Sequence, residues 1–205
     1  MRLLVPALLL LAGCAASERA DSGQPPMTFF LTSENPGNGA DLGGLEGADA
    51  WCASLAGDDR DWAAYLSTTA ADARDRIGSG PWHNAAGVLV ARDLDHLHGE
   101  NNLTKDTQLN ERGEVVNGRG DSPNRHDILT GSQLDGTSFG DDGTDHTCGD
   151  WTSASSDGSA QVGHHDRTGG GQNPTSWNSA HGSRGCGLED LRGTGGDGLF
   201  YCFAR

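Results

Sequence analysis

Short apolar runs, separated by polar and glycine-rich segments, dominate this chain and predict β-strands. Runs of four to eight apolar or β-branched residues bounded by Gly, Pro, Asn or Asp are typical of buried strands. Such runs cover residues 27–33, 62–67, 87–91, 126–131 and 198–203. Residues 150–153 and 160–163 read as the two strands of a hairpin. The pattern therefore predicts a fold with many short strands.

Helical periodicity appears early in the chain and then fades. Leu45, Ala48, Cys52 and Leu55 are spaced by three and four residues, which predicts an amphipathic helix with Cys52 on its buried side. A second short helix is predicted over residues 69–77, whereas 94–120 has weak periodicity and is expected to be mostly loop. Two helices followed by short strands and long glycine-rich loops indicate the α+β class.

The first residues have the order of a secretory signal peptide. Arg2 precedes a short apolar run, which ends in the small residues Ala12 and Gly13 before Cys14. The run is shorter than the roughly 20 residues that a membrane-spanning helix needs. Its end, Leu11-Ala12-Gly13-Cys14, resembles the bacterial lipobox, which implies cleavage before a lipidated Cys14. An ordinary cleaved signal peptide is the alternative.

This resemblance divides the chain into three parts. Residues 1–13 are expected to be a lipoprotein signal peptide, 14–26 the lipidated N-terminus with a flexible polar tether, and 27–205 one domain. The implied location is the bacterial cell envelope, at the outer membrane or cell surface, with the membrane as a partner through the lipid on Cys14.

The composition excludes some partner classes. The net charge is −15, and no basic patch is available for nucleic acid or for anionic glycans. Cations, neutral sugars or basic partners suit this charge. The 32 glycines would fit disorder, but five tryptophans and the apolar runs indicate a compact fold.

Five cysteines give an even number once Cys14 is assigned to lipid. Cys52, Cys148, Cys186 and Cys202 remain, which in an exported protein predicts two disulfides. Four cysteines allow three pairings. Zinc is a less favoured alternative, because the chain has no Cys-x-x-Cys spacing.

The order of several short motifs resembles the C-type lectin-like fold, in its endostatin-like branch. The motifs are Gly47-Ala48-Asp49-Ala50-Trp51-Cys52, Ala64-Tyr65-Leu66-Ser67, Leu129-Thr130-Gly131-Ser132, Cys148-Gly149-Asp150-Trp151 and Leu199-Phe200-Tyr201-Cys202. The resemblance covers about residues 27–204, and is closest to uncharacterised bacterial exported proteins often labelled lectin-like. It implies a twisted, mainly antiparallel sheet with two short helices. It also implies the pairs Cys52–Cys202 and Cys148–Cys186.

The calcium motifs of sugar-binding C-type lectins are absent. Neither Glu-Pro-Asn nor Gln-Pro-Asp occurs, and Trp177-Asn178-Ser179 lacks the carboxylate of Trp-Asn-Asp. Calcium prefers six to eight oxygen ligands. The spacing of Asp141, Gly143 and Asp145 suggests a calcium loop only loosely, and a solvated acidic loop is the alternative. The identity of any cofactor stays open between calcium and zinc.

Histidines and aspartates provide the candidate metal ligands. Adjacent side chains in a strand point to opposite faces, so only one of His164 and His165 can line a given site. The predicted metal set is His126, Asp127, His165 and Asp166, with His181 as a further imidazole. The alternative is that these groups hydrogen-bond to the loops.

The preferred function is a non-catalytic, membrane-anchored binding module for a glycan or surface protein. Trp82, Trp151 and Trp177 would supply an aromatic platform if they share an exposed surface. The candidate ligand-binding residues are Trp151, Trp177, Asn178 and His181. One alternative is a metal-dependent enzyme built on the histidines, which requires His126, His165 and His181 to converge. A structural or adhesive envelope protein is the other.

Overall fold

A computed structural model describes residues 23–205, so the expected signal peptide, Cys14 and most of the expected tether lie outside the described residues. The fold is α+β, with short helices and mixed sheets. The helices are α1 (Gly44–Ala56), α2 (Ala73–Arg76), α3 (Leu94–His98), α4 (Cys148–Trp151) and α5 (Leu188–Thr194). The strands are β1 (Phe29–Leu31), β2 (Trp62–Ala64), β3 (Trp82–His83), β4 (Leu89–Ala91), β5 (Asp127–Leu129), β6 (Gln161–His164), β7 (His181–Gly182) and β8 (Gly196–Ala204).

The larger sheet is organised around β8. This strand pairs antiparallel with β1 and β2 and parallel with β5, and the sheet continues through β6 to β7 with antiparallel pairs. Strands β3 and β4 form a separate antiparallel pair. Most pairs are therefore antiparallel, as expected. No helix among the described residues is long and apolar enough to cross a membrane.

Strand β8 is buried on both faces, which explains its continuous apolar sequence. Phe200 and Cys202 belong to a core cluster that includes residues of α1, whereas Tyr201 and Phe203 belong to a second cluster on the other face. All four are 0 % exposed. Because successive side chains point to opposite faces, β8 contributes to a hydrophobic core on each side of the sheet.

Two disulfides fasten this core to the surrounding segments. Cys52 of α1 is bonded to Cys202 of β8, and Cys148 is bonded to Cys186. This is the pairing that the sequence resemblance implies. The first bond closes a separation of 150 residues, so it restricts most of the unfolded chain.

The prediction of a strand at residues 150–153 is wrong. Cys148, Asp150 and Trp151 have φ values of 52°, 54° and 67°, so α4 is a left-handed turn. L-residues adopt this conformation at a cost, which local bonds must offset. The carboxylate of Asp150 accepts hydrogen bonds from the backbone N–H and hydroxyl of Thr69 and from the hydroxyl of Thr147. The cysteine of the turn is also held by its disulfide.

Several short elements escaped the sequence prediction. Helices α3 and α5 each bury one leucine, Leu97 and Leu191, which is too little to create an apolar period. Strands β3 and β7 are only two residues long. The expectation of two helices was therefore too low, and α2 is shorter than the predicted 69–77.

Gly163 provides a test of how closely the loop before β7 approaches the sheet. A Cβ atom on Gly163 would lie 1.8 Å from the carbonyl oxygen of Trp177. We expect Gly163→Ala to destabilise the fold by about 3 kcal/mol, because backbone would have to move. Denaturant unfolding measures this loss.

Gly170→Ala is the matched control, because nothing lies within 4 Å of a Cβ atom there. We expect a change below about 0.5 kcal/mol for it. Equal stability of the two variants would contradict the close approach at Gly163.

Candidate metal centre

Three neighbouring strands, with the residue that precedes one of them, bring together four side chains of types that can bind a metal ion. Asp127 of β5 stands directly opposite His164 of β6, and His181 of β7 stands opposite Val162. Directly opposed residues of an antiparallel pair share one face of the sheet. His126 comes just before β5 and joins the same group. The four residues are called the His126 cluster below: His126, Asp127, His164 and His181.

The ligand atoms of the His126 cluster converge on one carboxylate oxygen. Asp127 Oδ1 lies 3.1 Å from His126 Nε2, 3.3 Å from His164 Nε2 and 3.6 Å from His181 Nε2. His164 Nε2 and His181 Nε2 are 3.0 Å apart. The side chains of His126, Asp127 and His164 are 7 %, 2 % and 0 % exposed, and that of His181 is 23 % exposed. The cluster is therefore nearly closed to solvent.

The carboxylate of Asp127 is buried without a well-aligned hydrogen bond. Neither of its oxygens has a hydrogen-bond partner, although three imidazole nitrogens lie within 3.6 Å of Oδ1. A buried carboxylate without a partner is costly. His164 Nε2 and His181 Nε2 form a hydrogen bond with each other, but none of the three imidazoles is aligned to donate to Asp127 Oδ1, so a cation beside this oxygen would supply the missing partner.

The opposite nitrogen of each imidazole faces an oxygen acceptor. His126 Nδ1 is 3.3 Å from Asp166 Oδ1, and His164 Nδ1 is 2.8 Å from the carbonyl of Pro174. His181 Nδ1 is 3.1 Å from the carbonyl of Gly182. A proton on each Nδ1 would donate to these oxygens. In the hydrogen bond between His164 and His181 one Nε2 is also the donor, and it would release its proton on binding a metal ion. Outer partners of this kind orient histidine ligands in metal sites.

Local charges set the protonation of the surrounding groups. Burial acts to lower the pKa of His164, but the carboxylate of Asp127 and the carbonyl of Pro174 outweigh it and the pKa is raised. Burial acts to raise the pKa of Asp166, yet hydrogen bonds from His126 and from the backbone of Arg119 and Thr168 hold it far below its usual range. Asp166 is thus an ionised acceptor for His126.

The donor set and its spacing suit zinc better than calcium. Imidazole nitrogens favour zinc and related transition metals, whereas calcium requires six to eight oxygens. Ligands held about 2.0–2.1 Å from a tetrahedral zinc ion lie about 3.3 Å apart. The distances from Asp127 Oδ1 to the three Nε2 atoms and from His164 Nε2 to His181 Nε2, 3.0–3.6 Å, bracket that value.

Glycine backbone closes around the imidazoles. A Cβ atom on Gly169 would lie 2.5 Å from His164 Cε1, and one on Gly195 would lie 3.0 Å from His126 Nε2. Both glycines have positive φ values. Part of the glycine-rich sequence is therefore explained by main chain packed against the cluster.

The structure brings only part of the predicted metal set together. His126 and Asp127 lie in the cluster, and Asp166 supports His126 from outside it. His165 does not belong to the cluster, because its side chain points to the other face and Nε2 donates to the carbonyl of Asn117. Its neighbour His164 takes that place. The alternation rule was right that one of the two would line the site, but the register of β5 against β6 decides which.

The predicted ligand-binding tryptophans do not form a surface. Trp151 is 0 % exposed and donates its indole N–H to the carbonyl of Ser67, while Trp82 and Trp177 are also buried. Asn178 is buried too, and its amide donates to Tyr65 Oη. These side chains belong to the core, so the aromatic platform is corrected to a structural role. His181, from the same predicted set, lies in the metal cluster.

The acidic loop does not gather metal ligands in the part of the chain that the structure describes. Asp145 accepts hydrogen bonds from the backbone of Thr147 and Gly149, and Asp142 contacts His146. These contacts shape the loop itself, which supports the solvated alternative.

Neither a protein-family model nor a curated protein sequence matches this chain. Function therefore has to be argued from the site.

Because the buried carboxylate of Asp127 has no hydrogen-bond partner, we expect zinc to reverse the order of stability of the wild type and Asp127→Asn. With chelator at pH 8.5, where unperturbed histidines are neutral, we expect Asp127→Asn to stabilise the fold by about 1–2 kcal/mol, since a buried unpaired charge disappears. With excess zinc we expect the wild type to be the more stable protein. Urea unfolding under both conditions measures the order.

Asp157→Asn is the control, because it removes the same charge from an exposed position. We expect it to unfold like the wild type in both conditions. A metal-free Asp127→Asn protein less stable than the wild type would contradict a strained, metal-ready carboxylate.

Proposed function

We propose that this protein is an extracytoplasmic binding module stabilised by a zinc ion at the His126 cluster. The convergence of three Nε2 atoms on the unpaired Oδ1 of Asp127 carries this proposal. The ligands are His126, Asp127, His164 and His181.

A structural ion fits this arrangement better than a catalytic one. Structural zinc sites have four protein ligands, whereas catalytic sites keep one position for water or substrate. Three imidazoles and one carboxylate are the candidate ligands; the ligand atoms of His126, Asp127 and His164 all lie within 4.8 Å of one another, and these three side chains are at most 7 % exposed. A metal-dependent enzyme would require one ligand to be absent from the ion, and His181, the most exposed, is the candidate.

The ion would hold a part of the fold that has little core of its own. Strand β7 is only two residues long, and the loop between β6 and β7 is rich in glycine. Because glycine loses much conformational freedom on folding, such a loop is costly to order. An ion that links β5, β6 and β7 adds its binding free energy to the stability of this region.

The proposed module has a C-type lectin-like fold and is lipid-anchored at Cys14 in the bacterial envelope. Support for the fold comes from the ordered motifs and from the two disulfides in the implied pairing. Support for the anchor comes from the Leu11-Ala12-Gly13-Cys14 sequence. The alternative of a structural or adhesive envelope protein retains the same anchor and ion.

Zinc binding is the first test. Calorimetry on the metal-stripped full chain should show one zinc ion per chain, while calcium should give no signal. Asp166→Asn should weaken zinc binding by about 10–100-fold, as loss of an outer hydrogen bond does elsewhere, and His164→Ala by at least as much.

His165→Gln is the matched control, since it changes the adjacent residue on the other face of the sheet. We expect zinc affinity to be unchanged in this variant. If His165→Gln loses zinc and His164→Ala retains it, the assignment of the cluster is wrong. The absence of zinc binding by the wild type would reject the proposed function.

The anchor is tested separately at Cys14. In a bacterial host that processes lipoproteins, the wild type should partition with membranes and incorporate labelled fatty acid. Cys14→Ser should lose both, because no other acylated residue is expected. Labelling that persists in Cys14→Ser would contradict lipidation at this residue. Cys52→Ser is not a suitable control, because Cys52 forms a disulfide.

A further inference from the structure

A polar cleft of about 390 Å³ is lined by residues outside the His126 cluster. Its walls come from the turn after β5, from the start of β6 and from the loop before β7. The lining includes Gln133, Asp135, Phe139, Gln161, Gln172 and Asn173. This volume lies within the range of small-molecule sites.

Three amide side chains of the cleft share one hydrogen-bonding pattern. The NH₂ group of Gln133 donates to the carbonyl of Ser138, that of Gln161 to Ser179 Oγ, and that of Asn173 to the carbonyl of Ser179. No hydrogen bond between described residues reaches the side-chain oxygens of these amides. Each NH₂ group thus uses one of its two donors within the protein, whereas the side-chain oxygens remain for the cleft.

Gln161 shows that this pattern is more than ordinary surface polarity. The residue is only 6 % exposed, and it lines the cleft. Its side-chain oxygen is not enclosed by the protein, so it is open to the cleft. A donor on a ligand in the cleft would replace water at this oxygen.

The charge around the cleft selects the sign of the ligand. Residues 126–166 contain eight aspartates and neither lysine nor arginine. Hydrogen bonds from Thr137 lower the pKa of Asp135, so this lining carboxylate stays ionised. Arg74, on a neighbouring segment, donates to the main-chain carbonyl of Asp135, and its charge also lowers the pKa of Asp135, but among the residues that line the cleft only Asp135 has a charged side chain. Anionic ligands are thereby disfavoured.

We propose that this cleft binds a cationic hydrogen-bond donor, an ammonium or guanidinium group. The amide oxygens and the Asp135 carboxylate would accept its protons, as charge-assisted bonds that are stronger than neutral ones. Leu134, which is 52 % exposed at the cleft, and Phe139 would contact the methylene stem of such a group. The group belongs either to a free polyamine or to a lysine or arginine side chain of a partner. None of the residues that line the cleft belongs to the His126 cluster.

The test is an NMR titration of the full chain in a non-ionic detergent. The probes are spermidine, the methylamides of N-acetyl-lysine and N-acetyl-arginine, the uncharged methylamide of N-acetyl-norleucine, and methyl glucoside. Side-chain amide signals of Gln161 and Gln172 should shift with the cationic probes and not with the last two. Binding of spermidine alone would identify a free polyamine, and binding of the amino-acid derivatives a protein side chain.

Matched variants separate the cleft from the general negative charge. Asp135→Asn and Gln161→Leu should each raise the Kd of the cationic probe about tenfold, because each removes one acceptor of a charge-assisted bond. Asp157→Asn loses the same charge outside the cleft and should change the Kd less than about twofold. If Gln161→Leu fails to fold, Gln172→Ala, at an exposed position of the cleft, replaces it and should also weaken binding.

Three results would overturn the proposal. One is binding of methyl glucoside without binding of any cationic probe. Another is equal affinity in the wild type and both cleft variants. The third is an equal loss in Asp135→Asn and Asp157→Asn, which would indicate long-range attraction alone.

Discussion

The two-sided burial of β8 is the constraint on which the rest of the fold depends. Phe200 and Cys202 require cover on one face and Tyr201 and Phe203 on the other. Helix α1 supplies the first cover and is bonded to the strand through Cys52. An aromatic cluster that includes Trp177 supplies the second, with its ring 5.2 Å from that of Tyr201. The buried tryptophans of this glycine-rich chain pack in these two clusters, which is why they do not form an exposed surface.

The sheet changes character with distance from β8. Strand β5 still contributes Ile128 and Leu129 to the two clusters, but at β7 only His181 and Gly182 remain. Apolar burial cannot hold a two-residue strand and its glycine-rich loop. Other contacts are present there: the side chains of Asp127, His164 and His181 lie close together, and the disulfide Cys148–Cys186 fixes the chain just beyond β7. Small or loop-rich folds commonly add such staples where the core is insufficient.

Much of this arrangement follows from sequence, but the decisive contacts do not. The run at 198–203 predicts β8, and the spacing of Leu45, Ala48 and Cys52 predicts α1, because each has a clear apolar period. The choice between His164 and His165 depends on which residue of β6 stands opposite Asp127. That register is set by tertiary packing and has no local signal.

Side-chain hydrogen bonds to the backbone defeat local prediction in a different way. Residues 150–153 contain a tryptophan and a threonine and so resemble a strand, but Asp150 accepts bonds from Thr69 and Thr147 and fixes a left-handed turn. One of these partners is 81 residues away in the chain. A propensity argument restricted to neighbouring residues cannot include it, so the turn had no visible signal.

The His126 cluster and the cleft lined by Gln161 both have more hydrogen-bond acceptors than donors. They differ in how far they are enclosed, and this difference limits the cation that each can bind. Asp127 is enclosed by imidazoles, so a metal ion bound there would have to be small and able to bind nitrogen. Gln161 opens into a cleft bounded by amide oxygens and a carboxylate, where nitrogen ligands are replaced by oxygen acceptors and more space is present. A bare metal ion gains little there, whereas an organic cation can present several N–H donors at once. A net charge of −15 would attract either cation to the surface, and the local donor set then determines which one is retained.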